Sequence, residues 1–139
     1  MNRDPISRLL DLAERTGADW LAEAVERHLS GEPIAEALEL AGDHRRPTAR
    51  RDWLLQRRDE HLRAAWRAVQ GATGPTARTL ALHRECRRVE SLWPGIGHLR
   101  QPPERFSPVR RHVWHAMHHA SRAGGGLPKF RQLHTICSR

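Results

Sequence analysis

The 139-residue chain has 24 Lys/Arg against 16 Asp/Glu, a net charge of +8, and only two cysteines. That length suits one ordinary domain, or two small helical units sharing a core. Cys86 and Cys137 form neither a disulfide framework nor a CxxC pair, which points to a reducing, intracellular setting.

No run approaches the ~18–20 apolar residues of a membrane span. The opening "MNRDPISRLL" meets Asp4, Asp11 and Glu14 at once, unlike a secretory signal, so a cytoplasmic protein is expected. Lys129 is the only lysine; every other cation is arginine, as the codon usage of a GC-rich bacterial or phage genome would give. The charge is split along the chain. Residues 1–42 carry 4 Lys/Arg and 9 Asp/Glu, whereas residues 43–139 carry 20 and 7. A basic segment of that size seeks phosphate or an acidic protein.

All recognisable periodicity is helical. Asp4 is a fair N-cap and Pro5 suits a first helical position. Ile6, Leu9, Leu10 and Ala13 then repeat as one core-facing stripe, which Thr16-Gly17 ends. Asp19 is expected to cap a second helix with the stripe Leu21, Ala24, Val25, His28 and Leu29. Pro33 opens a short third one, with Ile34, Ala37, Leu38 and Ala41 inward and Gly42 at its close. After the basic connection "DHRRP", Thr48 can cap a long helix to about Val69 with the stripe Leu55, Leu62, Trp66 and Val69. "GATGP" breaks the chain. From Pro75 to about Trp93 the stripe is Leu82, Cys86, Val89 and Trp93.

Residues 94–107 read as a Pro/Gly-rich loop. Ser107-Pro108 starts a strong helix ending near Arg122. "AGGG" stops it, and Leu127-Pro128 leads into a last short helix with Phe130, Leu133, Ile136 and Cys137 inward. The expected fold is therefore all-α, a compact bundle of about six or seven helices. It reads as a single domain over 1–139, with 1–93 and 107–139 as alternative sub-units joined by the loop 94–106.

"HVWHAMHH" places four of the ten histidines within residues 112–119. On a helical wheel centred on Val113, residues Val109, Ala116, Met117 and Ala120 fall within about 60° and form the buried face. His112, His115 and His119 lie together at about −100° to −160°. His115 and His119 are spaced i, i+4, so two imidazoles could share a metal ion, but one helix normally supplies only two ligands. HExxH is absent because Ala116 stands at the glutamate position. The three histidines are weak metal candidates, and no metal or other cofactor is expected. The main readings are a solvated polar face or a phosphate-facing one. Trp114, about 100° from the core centre, reads as a core-edge or partner contact.

The C-terminal helix, Gly-rich turn and short helix have the order of a helix-turn-helix pair. The last helix would expose Arg131, Gln132, His134, Thr135 and Arg139, side-chain types suited to base edges, with Lys129 near its start. Arg45, Arg46, Arg50 and Arg51 are candidate phosphate contacts from the first basic connection, and Arg110, Arg111, His115, His118 and Arg122 from the histidine-rich helix. His83 and Cys86 could be drawn as a dyad. Cys86 falls on the apolar stripe, however, so no enzyme is expected. The leading expectation is a small DNA-binding regulator or accessory factor. The alternative is an adaptor or inhibitor gripping an acidic protein, and the acidic and basic parts leave homo-association open.

Overall fold

The computed structural model describes residues 4–38 and 49–139. It contains seven helices: α1 (Pro5–Thr16), α2 (Asp19–Leu29), α3 (Ile34–Ala37), α4 (Ala49–Ala68), α5 (Pro75–Ile96), α6 (Pro108–Arg122) and α7 (Phe130–Cys137). No strand occurs among the described residues, and none of the helices is long and apolar enough to cross a membrane. Two compact units divide the chain, Met1–Arg50 and Arg51–Arg139.

In the first unit, α1 packs on α2 and α2 on α3. Asp4 caps α1 as expected, its Oδ1 accepting the Ser7 N–H at 2.9 Å. Asp19 does not cap α2. It is the first helical residue, and Ala18 holds the cap position without a side-chain bond. Ala13, Leu21, Ala24, Val25 and Ala37 are buried, while Leu29 and Ile34, both expected inward, are exposed. Ala41, Gly42, Arg45, Arg46 and Thr48 lie outside the described residues.

The second unit is built on α5, against which α6 and α7 both pack. Its core joins Leu62 and Ala65 of α4, Leu82, Cys86 and Val89 of α5, Val113, Trp114 and Ala116 of α6, and Leu133 and Ile136 of α7. The buried stripe of α4 is Leu54, Arg58, Leu62 and Ala65, continued by Val69 just past its end, and it starts one residue earlier than Leu55 would set it. Arg58 tolerates this place because its guanidinium bonds Asp59 at 2.8 Å.

Residues 94–106 lie inside the second unit, not between units. α5 runs through Pro94 to Ile96, and both Ile96 and Phe106 are buried in the core. Proline is cheapest in a helix's first turn, where its N–H would have no partner; at 94 it forgoes the bond to the Glu90 carbonyl, and α5 ends two residues later at Ile96. Gly97 then closes α5 with its N–H on the Trp93 carbonyl at 2.8 Å. A Cβ at Gly97 would stand 2.7 Å from the Trp93 indole, so close approach demands glycine here. Ser107 caps α6 through its Oγ, which accepts the Arg110 N–H at 3.3 Å. Gly124, at φ 81°, ends α6 in a Schellman turn: the N–H of Gly125 bonds the Ala120 carbonyl and that of Gly124 the Ser121 carbonyl.

Candidate functional site

The arginines of the second unit fall into two groups. The first builds the fold. Arg110 donates to both Glu85 oxygens, from Nε at 2.7 Å and from one Nη at 3.3 Å, and the pairing raises its pKa. Arg111 donates to the carbonyls of Phe106 and Glu104, at 3.1 and 2.8 Å, tying the loop to α6. Arg78 reaches the carbonyls of Trp66, Arg67 and Val69 at the end of α4. Arg63 bonds the Ile136 carbonyl at 3.1 Å. Arg110 and Arg111, expected on phosphates, are thus engaged within the protein. A guanidinium is a good cap for helix-end carbonyls because its several donors point in fixed directions.

The second group faces solvent. Arg84, Arg88, Arg122, Lys129 and Arg131 are exposed and make no side-chain hydrogen bond or ion pair among the described residues. α5 and the start of α7 bring most of them together. His83 meets Phe130 edge to face at 6.0 Å, and Arg87 reaches the Pro128 carbonyl at 3.3 Å. Arg87, also paired with Glu90 at 2.8 Å, therefore lies beside the start of α7, where Lys129 and Arg131 are exposed, while Arg84 and Arg88 are exposed on the adjoining side of α5. Lys129 occupies the α7 cap position without a side-chain cap, leaving first-turn N–H groups of α7 to solvent or a ligand. Gln132 and Thr135 are exposed on α7, as expected for a reading helix, although the Thr135 hydroxyl bonds back to the Arg131 carbonyl at 3.1 Å. Arg50 is exposed too, at the end of the first unit; Arg51 is exposed and engaged.

The histidines of α6 do not form a fully solvated face. His112, His115, His118 and His119 are all half-buried. His118 stacks on the buried Trp114 with ring centres 5.3 Å apart. Trp114 itself is only 1% exposed and donates its Nε1–H to the Ile96 carbonyl at 3.4 Å, so it is a core residue. The other three histidines surround His61 of α4, which sequence reasoning missed. The His61 and His112 Nδ1 atoms are 3.3 Å apart, while the His61 ring stacks on His115 at 4.9 Å and on His119 at 5.6 Å. Trp53 meets His119 edge-on at 6.0 Å.

Burial, followed by the His115, His112 and His119 charges, lowers the His61 pKa to about 4. His115 is lowered by burial and then by His112 and His118. His119 is lowered by burial and then by His118, Arg122, His115 and Arg57. Parallel stacked rings aim their in-plane lone pairs alongside one another, not at one point. Accordingly, no group of three or more His, Cys, Asp or Glu among the described residues is arranged to hold a metal ion.

Cys86 is fully buried in the core, and its thiol is pushed up to about 12 by burial, opposite to what a nucleophile needs. In comparisons with protein-family models, curated proteins and solved structures, nothing matches the chain.

Proposed function

We propose that the second unit binds nucleic acid through the surface shared by α5 and the start of α7. The observation that carries this reading is the set of exposed, unengaged cations there, Arg84, Arg88, Lys129 and Arg131, beside Arg87. Several arginines of the unit, Arg63, Arg78, Arg110 and Arg111, are committed to carboxylates and carbonyls, whereas these cations are free to neutralise phosphates. Residues 51–139 carry 17 Lys/Arg and 6 Asp/Glu, a net +11 that would steer a polyanion toward the unit. On this reading α7 lies against the duplex with Gln132 and Thr135 turned to base edges, and catalysis has no part. The protein would act as a DNA-binding regulator or accessory factor.

Fluorescence anisotropy of a labelled random-sequence duplex across a salt series tests it. The expected log–log slope is about −4 or steeper, and each phosphate contact removed by Arg84→Ala, Arg88→Ala or Arg131→Ala should reduce it by roughly 0.9. Absence of binding at low salt would refute the reading.

A second reading has one specific support. Leu80 and Leu92 are exposed on α5, in i, i+4 register with Arg84 and Arg88. A stripe that alternates apolar and cationic in this way also suits an acidic amphipathic segment of a protein partner. Loss of partner capture in Leu80→Ser, with duplex binding absent, would favour this reading.

A further inference from the structure

The histidine cluster is separate from the α5–α7 surface and has its own logic. α4 meets α6 through four imidazoles, His61 against His112, His115 and His119. The 3.3 Å approach of the two Nδ1 atoms is a hydrogen bond only if one nitrogen carries a proton and the other does not. Two imidazolium rings cannot make it, because both atoms would then be donors.

The neighbours offer little charge compensation: Glu60 favours a protonated His61, but more weakly than burial and the other histidines oppose it. On α4, Arg57 and Glu60 are paired with each other at 3.0 Å, and Asp59 is paired with Arg58. Facing them on α6 are Arg111, His118 and Arg122 beside the three clustered histidines, all cationic when protonated. Trp53 and Trp114 flank the cluster at right angles to His119 and His115 and bring no carboxylate to it. From α7, the Ile136 carbonyl takes Arg63 and the Cys137 thiol rests on the Leu62 carbonyl at 3.7 Å; no carboxylate of α7 lies near, since the helix has none. The Nδ1 of His119 is buried without a hydrogen-bond partner, so a proton placed there would find no acceptor.

We propose that this cluster is a proton-operated latch: neutral imidazoles hold α4 on α6, and their protonation releases α4 from a scaffold of α5, α6 and α7 that stays folded. The direction follows from linkage. The folded form holds His61 below the ~6.5 of an unfolded histidine, so the unfolded or released segment binds protons more readily. The contribution is fully present above about pH 6.5 and is lost as pH falls from there toward 4. With a folded value of about 4, His61 alone would shift the opening equilibrium roughly twentyfold between pH 7 and 5, and about tenfold once solvent screening of a half-buried ring is allowed for.

The test is hydrogen–deuterium exchange on the full chain at pH 7 and pH 5, corrected for the intrinsic pH dependence of exchange. Protection of 52–68 is expected to fall about tenfold or more at pH 5, with 79–92 and 130–137 unchanged. His61→Phe keeps an aromatic ring in the stack but cannot charge, and should lose most of the pH effect. His119→Phe should lose part of it, and His98→Gln, at an exposed site, none. Equal protection of α4 at both pH values would overturn the latch, as would loss of protection in all helices together. If His61→Phe does not fold, imidazole NMR of the wild-type chain decides: cluster resonances titrating at or above the unfolded histidine value would also overturn it.

Discussion

Thr79 is the most consequential small polar side chain in the second unit. It is fully buried, and its single hydroxyl ties three elements together. Oγ1 accepts the Trp66 Nε1–H of α4 at 3.1 Å, donates to the Pro75 carbonyl at 2.9 Å, and lies 2.9 Å from His134 Nδ1 of α7. With its one hydrogen on Pro75, the oxygen can only accept from His134, which fixes that ring as the Nδ1–H tautomer. Thr79→Val preserves shape and removes the acceptor for two N–H donors at once. An unsatisfied buried donor costs about 1–3 kcal/mol. Trp66 and His134 are only half-buried, so the lower end applies to each and the total is about 2 kcal/mol. For a unit of this size that corresponds to a Tm lower by roughly 8–16 °C in calorimetry. Thr79→Ser keeps the hydroxyl and loses one methyl, costing about 1 kcal/mol. A double-mutant cycle with Trp66→Phe should return a coupling near 1 kcal/mol. If Thr79→Val were as stable as Thr79→Ser, the hydroxyl would not be the joint described above.

Gly97→Ala should destabilise the second unit by about 1–3 kcal/mol, because the new methyl meets the Trp93 ring at 2.7 Å; chemical denaturation measures it, and a neutral result would mean the indole moves freely. Burial pushes Cys137 up to about 11 and Cys86 to about 12, so both thiols should resist a disulfide reagent at pH 8 in the folded protein and react together in denaturant. Rapid labelling of the native chain would contradict that. Glu85→Gln should weaken the partly buried clamp on Arg110 by about 1 kcal/mol and make the remaining stability less dependent on salt, read from denaturation at two ionic strengths.

The helices were largely legible in the sequence because most carry an explicit start or stop. Asp4-Pro5, Ser107-Pro108 and Gly124 act through local chemistry and need no distant partner. α4 was misread at its stripe for a physical reason. Arg58 sits on the buried face, and a charged residue there blurs the apolar period that would have pointed to Leu54. The same blurring hid His61, which lies between Arg58 and Leu62 and has no pattern of its own. Trp114 was placed beside the core because a wheel assumes one packing neighbour. α6 is flanked by α5, whose last residue Ile96 takes the Trp114 Nε1–H, and by the loop holding Phe106, which widens its buried arc. The loop itself looked polar and Pro/Gly-rich, and nothing local announces that Phe106 turns inward. Arg110 and Arg111 looked like phosphate contacts because a sequence shows charge but not whom it is already holding. Arg131, Gln132, Thr135 and Arg139 are exposed as the pattern of α7 suggests, but His134, expected outward with them, is half-buried with its Nδ1 2.9 Å from the Thr79 hydroxyl, a partner 55 residues away that no local pattern announces.

The arginine-to-carbonyl clamps have a practical consequence at the bench. Bonds such as those from Arg78 to the end of α4 and from Arg111 to the 104–106 turn are short-range and do not depend on counterion release. Contacts from solvent-facing cations to a polyanion do. On the proposed reading, molar sodium chloride should therefore release a bound polyanion while leaving the protein's circular dichroism spectrum and melting curve nearly intact.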